Sequence, residues 1–202
     1  MRHFFRFGFL LLALMVNACG EKPLEVIAPN STILAFGDSL TFGKGVNKQH
    51  SYPNVLSKIS GYKVVNVGIS GEKTQQGLAR LARVIKKHQP SLLILLEGGN
   101  DILQSVDLKI TKRNLSKMIQ LAQAKGIKVM LLGVPKRGLF LRTAKIYQQL
   151  ADEHQVIFDN DLVSELLKDK KYKSDLIHFN QLGYRLMAEQ IYQRLLDEGV
   201  LE

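Results

Sequence analysis

The chain has 202 residues, 46% of them hydrophobic, and a formal net charge of +10. That is enough for one α/β domain with a sizeable core and argues against disorder. Nucleic-acid binding is the tempting reading of the charge, but aromatics are only 7% and no matching motif is present; the basic residues are scattered along helices, with one cluster at Lys168, Lys170, Lys171 and Lys173, and a solvated face near an anionic lipid surface fits better.

Residues 1–19 stand apart. Arg2, His3 and Arg6 open the chain, Phe7 to Val16 is apolar apart from Gly8, and Asn17-Ala18-Cys19-Gly20 follows. A basic start, a short apolar stretch and a small-residue boundary predict an export signal too short to span a bilayer. Cys19 is the sole cysteine, which leaves neither an intrachain disulfide nor a cysteine metal cluster. Val16-Asn17-Ala18-Cys19 resembles a bacterial lipobox. That resemblance implies cleavage before Cys19, diacylglycerol on its sulfur, and a membrane-anchored protein facing the periplasm or cell exterior. The plainer alternative is an ordinary secretory signal. Residues 20–31, with Pro23, Pro29, Asn30 and Ser31, read as a tether that would hold the protein close to lipid, and residues 32–202 as one domain.

Ile33-Leu34-Ala35-Phe36 reads as a buried first strand over about 32–36. Gly37-Asp38-Ser39-Leu40 follows, with a loop over 41–51 and a helix from Ser51 to Ser60. Lys63 to Val67 is the second strand. Gln75 to His88 is helical, with Leu78, Leu81, Ala82 and Ile85 at helical spacing, and Pro90 stops it. Leu92 to Leu96 is a strand without a polar residue. The next helix covers about 107–125 on a stripe of Leu115, Met118, Ile119 and Ala122, and Gly126 ends it. Ile127 to Leu132 is strand four. A Gly- and Pro-containing loop over 133–142 leads to a helix from Ala144 to His154. Val156 to Phe158 is strand five, Val163 to Leu167 a short helix, and 169–179 irregular. Asn180 caps a last helix with the stripe Tyr184, Met187, Ala188, Ile191 and Leu195. Five short apolar strands alternating with helices predict a parallel sheet covered on both faces.

Four clusters fall at or near the C-terminal ends of strands, the edge where such sheets build their sites. They are Gly37-Asp38-Ser39-Leu40, Asn66 to Gly71, Gly98-Gly99-Asn100-Asp101, and Asp175-x-x-His178. Each alone reads as a turn, a helix cap or a structural histidine. Together they supply a hydroxyl, an imidazole, a carboxylate, a side-chain amide and backbone N–H groups. Acyl transfer through a serine ester needs that set. The hydroxyl needs a base, and histidine serves near neutral pH. The imidazole needs a carboxylate to fix its tautomer. Asp175 is three residues from His178 and within local reach. The N–H groups of Ser39 and Gly71 and the amide of Asn100 could meet the developing oxyanion.

The four blocks in this order resemble the GDSL, or SGNH, hydrolases. The likeness runs over about residues 32–195 and is closest to the bacterial multifunctional thioesterase–lysophospholipase–arylesterase group, with which Thr74 to Leu81 and His88-Gln89-Pro90 also agree. The resemblance implies a three-layer flavodoxin-like sheet of order 2-1-3-4-5. It implies Ser39 as nucleophile, His178 as base, Asp175 as its partner, and Ser39, Gly71 and Asn100 as oxyanion donors, with no cofactor and no metal. Glu72 departs from the Asp usual in those relatives, and the loops 102–106 and 134–142 also differ. Ile102, Leu103, Leu139 and Phe140 are the candidate acyl-binding residues, and their apolar character favours a longer acyl chain.

Other readings fit less well. Gly37 to Lys44 looks like a phosphate loop, but five residues separate its glycines and Gly45 replaces the required hydroxyl residue. Thr41 stands where an α/β-hydrolase elbow needs glycine. The histidines lack ligand spacing for zinc. A carbohydrate O-deacetylase of the same fold and a non-catalytic surface lipoprotein remain the alternatives.

Overall fold

A computed structural model describes residues 26–138 and 141–202. The expected export segment, Cys19, most of the expected tether, Leu139 and Phe140 lie outside the described residues. Five parallel strands form one sheet: β1 (Thr32–Gly37), β2 (Lys63–Asn66), β3 (Leu92–Leu96), β4 (Lys128–Leu132) and β5 (Ile157–Asp159). Their order is β2-β1-β3-β4-β5, the flavodoxin-like order. Ile33 to Phe36 and Leu92 to Leu96 are buried on both sides, and this is why those stretches show no polar alternation.

The helices are α1 (Ser39–Phe42), α2 (Tyr52–Ser60), α3 (Thr74–His88), α4 (Gly99–Leu103), α5 (Leu108–Gln123), α6 (Lys145–His154), α7 (Leu162–Lys168) and α8 (Gln181–Asp197). On one face α3 packs against α5 and α5 against α6; α8 packs against α2 and α7. Asp107 caps α5 through Lys109 N–H, and Asn180 caps α8 through Gly183 N–H.

Three local expectations change. Residues 41–51 are not all loop: α1 occupies 39–42, and a 3-10 turn occupies 48–50. The 3-10 turn at 170–172 likewise interrupts the irregular stretch. In α3 the inward side is Thr74, Gly77, Leu81 and Ile85, while Ala82 faces solvent. Gly77 lets this helix lie close to Phe36 and Met118: a Cβ there would stand 3.3 Å from the Phe36 ring and 3.1 Å from the Met118 methyl.

The packed body also starts before residue 32. Ile27 is buried, its N–H donates to Val200 C=O at 3.0 Å, and its C=O accepts from the Tyr62 hydroxyl at 3.3 Å.

Candidate active site

At the C-terminal end of β1 the chain makes one helical turn. Asp38 caps it, its Oδ1 accepting from Leu40 N–H at 3.1 Å, and Gly43 ends it at φ +91°. Ser39 is therefore the first residue of α1. Gly37 makes the close exit from the sheet possible: a Cβ there would lie 2.0 Å from Leu96 C=O and 2.4 Å from Thr41 Oγ1. The second cluster locks onto this turn. Asn66 Nδ2 donates to Thr41 C=O at 2.9 Å, and Gly68 N–H donates to Asn66 Oδ1 at 3.0 Å.

The loop before α8 brings in the other two groups. Asp175 Oδ1 accepts the N–H groups of Ile177 and His178, each at 2.9 Å. Asp175 Oδ2 lies 2.7 Å from His178 Nδ1, and His178 Nε2 lies 3.0 Å from Ser39 Oγ. His178 is 4% exposed and Ser39 9%. Burial opposes the Asp175 charge, but the Ile177 N–H, the ring and the His178 N–H outweigh it and hold the carboxyl below the usual range. A charged Asp175 at Nδ1 leaves Nε2 free to accept the Ser39 proton.

Asn100 is on α4, which starts from Gly98 at φ +102°. Its Nδ2 donates to Glu72 C=O at 2.9 Å and lies 3.4 Å from Asp38 Oδ2. Gly71, at φ +84°, sits in a turn closed by Glu72 N–H to Ile69 C=O at 3.2 Å. Glu72 is itself fixed. Arg80 forks onto both its carboxylate oxygens and lies 3.9 Å over the Phe36 ring.

The structure thus brings Ser39, His178 and Asp175 into one hydrogen-bonded line, and ties Asn100 to the Gly71–Glu72 turn. The model of the GDSL-like lipase/acylhydrolase family matches residues 35–186. The chain belongs to the GDSL-like lipase/acylhydrolase family. This GDSL hydrolase is 31% identical over 176 residues to thioesterase 1/protease 1/lysophospholipase L1 of Escherichia coli K12, covering 83% of this chain and 85% of that one. It is 34% identical over 197 residues to an arylesterase of Vibrio mimicus, covering 92% and 97%. The crystal structure of a psychrotrophic esterase from Pseudoalteromonas, inhibited by monoethylphosphonate, superposes with a TM-score of 0.76 over 83% of this chain and 98% of that one. At 19% identity that likeness shows the fold alone.

Beside Ser39 the GDSL hydrolase has a cavity of about 140 Å³, walled chiefly by Ile102, Leu103, Val134, Leu141, Val163 and Ile177. Two of the four expected acyl-binding residues therefore line it. Lys136 and Arg137 also border it, and Arg137 Nη1 donates to Leu103 C=O at 3.3 Å. Among the described residues, no helix is long and apolar enough to cross a membrane.

Sequence reasoning passed over the buried acids around this site. Asp38, Glu72, Glu97 and Asp101 are each at most 5% exposed. Asp101 accepts Thr74 N–H at 2.9 Å and Thr74 Oγ1 at 2.6 Å, and Asn114 supports Thr74 at 3.1 Å. Burial, with added repulsion from Glu72 and Asp101, pushes the Asp38 carboxyl up to about 7 against the Leu40 and Gly99 N–H groups. The available signal was Glu97, an acid placed directly after five apolar residues that needed burial.

Proposed function

We propose that this GDSL hydrolase is a serine esterase that cleaves carboxylic esters or thioesters through an acyl-enzyme on Ser39. The observation that carries the reading is the line Ser39 Oγ–His178 Nε2 at 3.0 Å and His178 Nδ1–Asp175 Oδ2 at 2.7 Å. His178 takes the Ser39 proton as Oγ attacks the substrate carbonyl. Asp175 holds the ring tautomer and stabilises the imidazolium. The N–H groups of Ser39 and Gly71 and the Asn100 amide receive the oxyanion. The tetrahedral intermediate collapses and His178 returns the proton to the leaving alcohol or thiol. Water, deprotonated by His178, then attacks the acyl-enzyme; the acyl–Oγ bond breaks, His178 returns the proton to Ser39 Oγ, and the acid leaves.

The apolar cavity supports an acyl chain longer than acetyl, and the relatives' names support thioester, aryl ester and lysophospholipid substrates. The basic N-terminal start and Cys19 support export and a lipid anchor. Nucleic acid has no part in this reading.

Ser39→Ala and His178→Ala are each expected to lower hydrolysis of p-nitrophenyl esters by at least about 10³-fold, and the double variant to fall no further. Circular dichroism should remain that of the wild type. Activity near wild type in folded Ser39→Ala would sink the reading. The same assay run from acetyl to palmitoyl separates a long-acyl esterase from a carbohydrate O-deacetylase, for which acetyl would be preferred.

A further inference from the structure

Glu97 stands apart from the other three buried acids in its hydrogen bonding. Asp38 has Leu40 N–H, Asp101 has Thr74, and Glu72 has the Arg80 fork. Glu97 is different. It is fully buried, its Oε2 accepts only Gly98 N–H at 3.2 Å, and its Oε1 has no hydrogen-bond donor. Apolar groups crowd that oxygen: the space over Gly77 that it borders is shared with the Phe36 ring and the Met118 methyl. The Glu72 carboxylate belongs to the same pocket: Arg80, which forks onto it, lies 3.9 Å over that Phe36 ring. Two ionised carboxylates cannot share a dry site, so one holds a proton. Glu97, whose buried Oε1 no donor reaches, is the one that holds it.

We propose that Glu97 is a positioning residue for ester hydrolysis: as a neutral acid it donates to Glu72 and braces both supports of the oxyanion donors. One support is the Gly71–Glu72 turn, whose Glu72 C=O receives Asn100 Nδ2. The other is Gly98, whose N–H Glu97 accepts at the start of the helix that carries Asn100. Glu97 thus touches the holders of Asn100 and Gly71 without touching substrate. Burial, then Asp38 and Glu72, push its carboxyl well above the ordinary range, in accord with that geometry. The groups facing it are Asp38 after β1, Glu72 after β2 with Arg80 on α3, and Tyr147 on α6, whose hydroxyl donates to Glu97 C=O at 2.7 Å.

The inference rests on the esterase reading above, so Ser39→Ala is run beside it. Glu97→Gln keeps a donor for Glu72 and an acceptor for Gly98; Glu97→Met keeps only bulk. With p-nitrophenyl butyrate, Glu97→Met should lower kcat by at least about tenfold with KM within about twofold, whereas Glu97→Gln stays within about threefold of wild type. Wild type should also lose kcat at alkaline pH as Glu97 ionises, and Glu97→Gln should not. Wild-type kcat in Glu97→Met, or an alkaline limb identical in wild type and Glu97→Gln, would overturn the proposal. Should Glu97→Met fail to fold, the alkaline comparison alone decides. An active Ser39→Ala would instead sink the esterase reading itself.

Discussion

Asp38 uses one carboxyl oxygen to cap α1 and turns the other toward Gly99 and Asn100. Its folded-state pKa, raised to about 7 by burial, has a direct consequence for stability. The folded protein binds this proton more tightly than the unfolded chain, whose Asp titrates at about 3.9. The stability so contributed is complete below about pH 4 and is lost as pH rises through about 7. Asp38→Asn removes the titration and keeps an oxygen to cap Leu40. Its melting temperature should therefore gain on that of wild type between pH 4 and pH 8, as followed by circular dichroism. Parallel curves would mean that Asp38 is ionised throughout. The grouping of Ser39, Asp175 and His178 was readable because few side chains suit the parts of nucleophile, base and orienting acid. The isolation of Glu97 was not, because it arises only when α3 packs on the sheet and brings Gly77, Phe36 and Met118 around the Oε1 oxygen.

At the scale of elements, the strands were legible and the short helices were not. β1 and β3 are central and buried on both faces, so their apolar runs could be read directly. α1 and α4 have 4 and 5 residues, too few to show a period. They exist because Asp38 caps one and the positive φ of Gly98 starts the other. Ala82 was misassigned to the inward face of α3 because a small residue suits either side of a helix; Gly77, which lets α3 approach the sheet, marks the true face. The close pairing of β1 with β3 is also testable. A Cβ on Gly37 would meet the backbone C=O of Leu96, which no side-chain rotation can relieve. Gly37→Ala should cost about 1–3 kcal/mol or more and lower the thermal midpoint by several degrees. It should lower kcat as well, since Ser39 follows two residues later. Urea unfolding equal to wild type would show that the sheet end yields freely.

For the whole molecule, the place where the chain joins its folded body has a mechanical consequence. Ile27 docks on Val200, just beyond the far end of α8, whereas α8 starts beside His178. Seventeen residues of helix put about 25 Å between those ends. Only eight peptide steps separate Cys19 from Ile27, a leash of at most about 28 Å when fully drawn out. That leash exceeds the separation by only a few ångströms, so a lipid-anchored copy would bring its catalytic mouth down to the bilayer only with the tether almost fully extended. Wild type should take up radioactive palmitate and Cys19→Ser should not. Inserting about twenty flexible residues after Gly20 should raise turnover of lysophospholipid in the same membrane while leaving soluble p-nitrophenyl butyrate unchanged. No gain would mean that the mouth already reaches its own membrane. With the tether less than fully drawn out, an anchored copy would instead meet esters that diffuse above its membrane or are presented by a facing layer.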